Sequence, residues 1–484
     1  MVKFSKEGVK MEDKKPSLSR RGFLKAGVAA AAAGVIGAIN PDALKAENAS
    51  LVSLDYASPA NGNWCKLVPK PNYGGAAVRY AEHNDEWLGT SKIVGEVKNI
   101  SEYDNGFTMA IRGELGEVPR WNYVTQGKRD PMAAGFGYAI GFISTDQAVV
   151  GPPPRKEKLP VPDPEIMSKH IKDTCYYMRA DEVGIGKMPP YAYYSNRISP
   201  THGDYATGKV DPLLLMKEIP VTERLPYVIC VAVEQHLETY MASTGYDGIA
   251  KSQSYRCYHA SANISIMLAQ YIRSLGYHAR AHHFANYASV MGPILIACGM
   301  GELTRTGDCV AHPRMGFRNK VAAVTTDLPL VPDKPIDFGM LDFCRVCKKC
   351  SDNCPGKAIS FDDEPVAYNG YLRWNSDFKK CAAFRTGNQE GFSCGRCIKV
   401  CPWSSKEDSW FHEAGVWIGS HGKQSASLLK QIDDMFGYGT EEITKYKWWL
   451  EWPELFPMPA GYPPTQTTQP TQTTQTTQTT QSSK

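Results

Sequence analysis

Eight of the fourteen cysteines in this 484-residue chain fall into two spaced runs, and they constrain the fold more than any other feature. The first is Cys344-x2-Cys347-x2-Cys350-x3-Cys354-Pro355; the second is Cys381, twelve residues, then Cys394-x2-Cys397-x3-Cys401-Pro402. Two-residue gaps let successive thiolates converge on one iron–sulfur cube, and the x3-Cys-Pro step turns the last cysteine toward a neighbouring cube. The spacing therefore assigns Cys344, Cys347, Cys350 and Cys401 to one [4Fe-4S] cluster, and Cys354, Cys381, Cys394 and Cys397 to a second. C-x2-C pairs also bind zinc, but two full runs that both end in Cys-Pro favour iron–sulfur. The remaining Cys65, Cys175, Cys230, Cys257, Cys298 and Cys309 are scattered singly and read as small buried hydrophobes.

The ends of the chain read as something other than fold. Ser19-Arg20-Arg21-Gly22-Phe23-Leu24-Lys25 fits a twin-arginine export pattern and precedes an apolar stretch from Ala26 to Ile39, too short to span a bilayer. Residues 1–46 are expected to be a signal peptide, and twin-arginine export carries proteins already folded around a cofactor. The segment from Pro464 to Lys484 is a Thr/Gln repeat without a hydrophobic residue, expected to stay disordered. Beyond residue 46 basic and acidic side chains nearly balance, at a net −1, so no basic surplus remains to hold nucleic acid.

Some 300 residues lie between the signal and Cys344, far more than an electron carrier needs. Val228-Ile-Cys-Val-Ala-Val233 is a continuous apolar run, as in a strand covered on both faces. Tyr258 to Leu275 is amphipathic at helical spacing, with Ile264, Leu268, Tyr271, Ile272 and Leu275 in one stripe and Gly276 as the stop. Tyr277–His282 and Val321–Thr326 read as strands, so an α/β or α+β core is expected. Gly299-Met-Gly301-Glu-Leu-Thr-Arg305-Thr-Gly307 and Pro313-Arg-Met-Gly316 allow close backbone approach to a flat or phosphate-bearing ligand, or form plain turns. They do not fit the dinucleotide pattern. No D-x-H-x-x-G corrinoid motif is present; His412-x-x-Gly415 lacks the Asp.

Together these features resemble the catalytic subunits of respiratory reductive dehalogenases, most of all those acting on ortho-chlorophenols. The likeness includes Asn84-Asp-Glu-Trp-Leu-Gly89, Arg179-Ala-Asp-Glu-Val-Gly-Ile-Gly-Lys-Met188, Ala242-Ser-Thr-Gly-Tyr-Asp-Gly248, Arg280-Ala-His-His283, Leu330-Val-Pro-Asp-Lys-Pro-Ile-Asp-Phe-Gly339, Asp342 to Cys350 and Tyr446 to Pro453. The resemblance implies an α+β fold: a nitroreductase-like, corrinoid-binding core with a two-cluster bacterial-ferredoxin-like domain. It divides the chain into an N-terminal region (47–160), the corrinoid-binding core (161–330), the cluster domain (331–420), a C-terminal segment packing on the core (421–460) and the tail (461–484). It further implies a base-off corrinoid lined by Gly299, Gly301, Arg305, Gly307 and Gly316. Tyr258 is the implied proton donor, Lys320 its neighbour (with Arg318 as rival), and Asn286 a third pocket residue. His259, His282 and His283 could meet an acidic phenol but read more readily as structural. The implied activity replaces an aryl halogen by hydrogen in anaerobic respiration. Implied partners are a halogenated phenol, a small integral-membrane anchor subunit and a respiratory electron donor, with the chain at the outer face of the cytoplasmic membrane. A brominated-phenol, chloroalkene or chloroalkane enzyme, or an electron-transfer subunit without its own substrate, is the alternative.

Overall fold

The computed structural model describes residues 73–124, 137, 139–198, 217–243, 245–246, 249–388, 393–404 and 410–436. The expected signal peptide, Cys65, the Tyr446–Pro453 likeness and the Thr/Gln tail lie outside them.

A four-stranded sheet forms the centre: β1 (Glu182–Lys187), β2 (Tyr227–Glu234), β3 (Ala279–His282) and β4 (Asn319–Thr326), in the order β1-β2-β4-β3. Every pairing is antiparallel, with Ala232 opposite both Glu182 and Val321, so of the two expected classes the core is α+β. The apolar run in β2 follows from its central place. Ile229, Val231 and Val233 face the helices α1 (Pro164–Tyr177) and α2 (Ile249–Ser274), whereas Val228, Cys230 and Ala232 face α3 (Met291–Ala297). Covered on both faces, the strand has no position that gains from being polar. In β1, Gly184 lets the end of α3 close onto the sheet, since a Cβ there would strike the Cys298 carbonyl.

Ile264, Leu268 and Ile272 form the buried stripe of α2, with Tyr271 and Leu275 half-buried beside it. The stop is the expected one: Gly276, at φ 92°, and Tyr277 donate back to Arg273 and Ile272 carbonyls. The start is not. The helix begins at Ile249, so Tyr258 sits in its third turn rather than at its opening. Residues 249–257 (IAKSQSYRC) carry no helical apolar period, yet Ala250, Lys251, Gln253, Tyr255 and Cys257 are all buried. Tertiary cover overrides weak local preference here, and Arg256 and Cys257 both donate to the Glu234 carbonyl at the end of β2.

The described parts of the N-terminal and cluster regions are joined by strand pairing. Arg79–Tyr80 pairs with Ile336–Asp337, and Ile93 bridges to Tyr371, so the N-terminal region is stitched to the cluster region. Of the expected C-terminal segment, the part up to Phe436 is described. Lys423–Phe436 packs not on the sheet but on the cluster helix Met340–Cys347 and on Trp410–Gly419, with Ala426 and Leu429 in the same core as Phe338, Phe343 and Trp403. A buried ion pair between Lys349 and Asp433 fixes that docking. Among the described residues no helix is long and apolar enough to cross a membrane.

Leu268 is fully buried between α2 and the sheet. Leu268→Ala is expected to cost about 2–5 kcal/mol of stability, read as a lower midpoint of chemical unfolding with an unchanged slope.

Candidate functional site

The helix Met340–Cys347 presents Cys344 and Cys347, and Lys348, at φ 52°, reverses the chain so that Cys350 returns beside them. Cys401 arrives from the second run, and with these three it lines one small cavity. The remaining four also sit together: Cys381 lies in the electrostatic field of Cys394 and Cys354, and Cys397 in that of Cys394 and Cys381. Cys401 thus stands with Cys344, Cys347 and Cys350, and Cys354 within the field of Cys381. Among the described residues no three His, Cys, Asp or Glu converge tightly enough for a single metal ion. Thiols ringed around a cavity suit a cluster better than a zinc ion, whose ligands sit at about 2.0–2.3 Å.

Burial pushes the Cys394 and Cys401 thiols up to about 11, against backbone N–H groups of Arg396, Trp403 and Ser404 that favour the thiolate. Such crowded, desolvated thiols ionise only when a cationic centre fills the ring.

Arg305 sits elsewhere than the expected corrinoid lining. It is fully buried, its backbone N–H reaches the Cys344 sulfur at 3.3 Å, and its guanidinium donates to the carbonyls of Cys344, Ser360 and Asp362. It bolts the first cysteine run in place. Gly299, Gly301 and Gly316 each close against protein, namely Lys334, Ala311 and Ser404, where a Cβ would collide. Of the five residues of that loop only Gly307 borders the large cavity described next. The tight glycines serve chain-to-chain approach, which is the plain-turn reading of the same loop.

That cavity, about 640 Å³, has walls from residues 88–107, 191–195, 290–296, 303–308 and 368–385. Its volume is that of a cofactor or ligand site. Cys381 lies in its wall and Arg385 beside it, one helical turn on. Arg385 also stands over the Phe107 ring at 4.8 Å. Burial opposes its charge, but the fields of Cys381, Tyr258 and Cys394 more than offset this and raise its pKa. Arg385 thus lies within the electrostatic reach of both the second cysteine group and Tyr258. The sequence reading missed it, although the i, i+4 step from Cys381 places both on one helix face.

Tyr258 stacks on Phe284 (4.8 Å between centroids, 28°), and the Lys320 ammonium lies 5.5 Å from its ring centroid. Lys320 reaches it from the start of β4, and α2 packs along that strand. Sequence reasoning put these two together; it did not find Phe284. Asn286 is buried and committed: its carbonyl accepts from Arg280 at 2.8 Å, and its amide donates to Ser144 O and Asp146. Arg318 is likewise tied to Ser404 O, Gln235 O and Glu234. His282 accepts at Nδ1 from Arg280 and Ala288 N, which leaves Nε2–H to donate to Thr325. Burial holds His282 well below its ordinary pKa and takes His283 down to about 4, so both are neutral. His259 is exposed. Cys175, Cys230, Cys257 and Cys298 are buried, and Cys309 is half-buried in the field of Cys397.

Fold and site together define an iron–sulfur oxidoreductase: an α+β core with a deep cavity, one wall of which carries a cluster ligand. A 4Fe-4S dicluster domain family matches residues 343–405. The tetrachloroethene reductive dehalogenase of Sulfurospirillum multivorans is 27% identical over 479 residues, covering 90% of this chain and 94% of that protein. A solved reductive dehalogenase, described as suggesting a mechanism for B12-dependent dehalogenation, is 29% identical at TM-score 0.63, over 78% of this chain. The catabolic reductive dehalogenase NpRdhA in complex with 3-bromo-4-hydroxybenzoic acid is 30% identical at TM-score 0.62, over 75%. This chain spans about half the length of those two solved chains (52% and 50%). The chain is thus similar to reductive dehalogenases over most of its length.

Because Cys401 completes the ring begun by Cys344, Cys401→Ser is expected to lower bound iron by about half while the other cluster's electron paramagnetic resonance signal persists. Iron analysis of anaerobically purified protein checks this, and zinc in place of iron would refute the assignment.

Proposed function

We propose that this chain is a corrinoid-dependent reductive dehalogenase that replaces a halogen ortho to a phenolic hydroxyl by hydrogen. The observation that carries this reading is a large cavity walled by Cys381 and Arg385, with the Tyr258–Lys320 pair within the electrostatic reach of Arg385. Apolar Ile93, Val97 and Ile296 with polar Lys98, Asn99 and Asn105 suit a broad macrocycle edged with amides, and no histidine is among the described lining residues. Bound there, the corrinoid would supply the low-valent cobalt chemistry that cleaves carbon–halogen bonds. The nitroreductase-like description of the core belongs to the same reading, supported by the antiparallel sheet with helices on both faces.

The chain's own residues handle the proton. A free phenol, with a pKa of about 10, is a weak acid. The Lys320 ammonium beside the ring is placed to stabilise the charge left on Tyr258 as its proton passes to a carbanion-like carbon. Phe284 fixes the ring plane from one side. The wall at Cys381 makes its cluster the nearer one to the cavity, and the Cys344 group the point of electron entry. A respiratory donor and a small integral-membrane anchor at the outer face of the cytoplasmic membrane complete the proposal.

The phenol class is supported by the NpRdhA complex, whose ligand carries bromine on the carbon next to its hydroxyl. A chloroalkene reading is favoured instead by the near-full-length likeness to a tetrachloroethene enzyme. Halide release from 2-chlorophenol, 2-bromophenol and tetrachloroethene by anaerobically reconstituted protein separates the two. Turnover of tetrachloroethene alone would replace the phenol reading, and iron without cobalt in the active protein would overturn the corrinoid. Tyr258→Phe is expected to cut turnover about 10²-fold or more with iron and cobalt content unchanged.

A further inference from the structure

The wall of the large cavity holds a cation, Arg373, that the proposed chemistry does not use. Arg373 ends the ribbon formed by Val366–Tyr368 and Tyr371–Arg373, whose turn is Asn369-Gly370. Both turn residues have positive φ, 44° and 82°, the backbone that a two-residue hairpin favours and that Asn-Gly supplies with least strain. The turn is seated on the strip 94–98. Val94 N and Gly95 N donate to Gly370 O, and Asn369 exchanges hydrogen bonds with the Lys98 backbone. Arg373 is thereby held in the wall by regular pairing rather than by a loose loop.

Its surroundings stabilise the guanidinium without completing it. The guanidinium carbon stands 3.4 Å from the centroid of Tyr368, diagonal to it across the ribbon, and 4.7 Å from that of Phe378. Nη1 donates to Gly307 O at 3.1 Å, but the Nε–H is buried without a partner. The residue is only 5% exposed, and a guanidinium keeps its charge at any ordinary pH. Gly307 O and the adjacent Tyr371 phenol are neutral. Among the described residues no carboxylate pairs with Arg373. Asp104 and Asp308 share the cavity wall without reaching it, and Glu364, in a smaller cavity that Arg373 also lines, is taken by Arg345. A buried cation with a donor left unmade is costly, and an oxyanion in the cavity removes both costs at once.

We propose that Arg373 binds a singly charged oxyanion, the phosphodiester in the nucleotide tail of the cobamide. The inference deepens the corrinoid reading and rests on it. The side chains around a corrin ring are neutral amides, so the phosphodiester is the peripheral charge that a guanidinium can recognise. With the lower base off the metal, the tail has to be housed by protein, and an arginine fork in the wall gives it a fixed point. A substrate carboxylate has the same chemistry, and cofactor retention and substrate KM tell the two sources apart.

The chain is reconstituted anaerobically with iron, sulfide and either a complete cobamide or cobinamide, which is the same ring without nucleotide and phosphate. Affinity is read from corrin absorbance, and cobalt retained after gel filtration is counted. Arg373→Met keeps the length of the side chain and its packing on the rings. It is expected to bind the cobamide roughly 10- to 100-fold more weakly than wild type and to match wild type in cobinamide affinity and iron content. Arg373→Lys should recover part of the loss, as a point charge without the fork. Equal weakening for both corrinoids would make Arg373 a brace of the hairpin and overturn the proposal, as would an unchanged cobamide affinity. Normal cobamide retention with a raised KM for 3-bromo-4-hydroxybenzoate, but not for 2-bromophenol, would assign the charge to a substrate carboxylate and overturn it too. Wild type that binds neither corrinoid overturns the preceding reading, and this one with it.

Discussion

The rings of four thiols can close only if two stretches of chain nearly fifty residues apart are brought to one point. Cys401 must reach the group that Cys344 begins, while Cys354 must reach the group that Cys381, Cys394 and Cys397 form. Much of the surrounding architecture enforces that meeting. Arg305 holds the Cys344 carbonyl, Arg318 and Phe317 N hold Ser404 three residues after Cys401, and Lys349 takes the C-terminal helix through Asp433. Losing one partner of the buried Lys349–Asp433 pair would strand a charge, a cost of about 3–5 kcal/mol. These polar ties join segments that share an apolar core including Phe338, Phe343 and Trp403.

The α2 helix links this region to the chemistry. Its first turns are buried near the cysteine groups, its third carries Tyr258, and its last turns lie in the main core under the sheet. A rigid rod so anchored fixes the distance between the second cluster and the phenol. Lys320 is placed with similar economy, at the start of β4, whose register against β2 is set by eight consecutive pairs. Tyr258 and Lys320 are therefore positioned by regular elements rather than by loops, which is what a preorganised site requires.

The parts legible in sequence were those with a local period or a fixed spacing. The cysteine assignment, the buried β2 run, the stripe in α2 and its Gly276 stop follow from rules that act within a few residues. The start of α2 was hidden because the burial of Lys251, Gln253 and Tyr255 comes from distant segments and leaves no periodic trace. Arg305 was read as a ligand contact because its glycine neighbours suggested an open loop; the same glycines are equally needed where two backbones meet, at Gly301 against Ala311. Asn286 is a polar residue in a plausible place whose three hydrogen bonds are all spent on Arg280, Ser144 and Asp146. No sequence pattern separates such a brace from a substrate contact.

The pairing of Arg79–Tyr80 with Ile336–Asp337 spans more than half the chain. The cost of closing so long a loop grows only slowly with its length, so even a two-residue pairing can hold such distant segments together. Residues 88–107, which follow Arg79–Tyr80, supply one wall of the 640 Å³ cavity, and Ile336–Asp337 leads directly into the helix that carries Cys344 and Cys347. One short ladder therefore ties the wall of the chamber to the segment that begins the first ring of thiols.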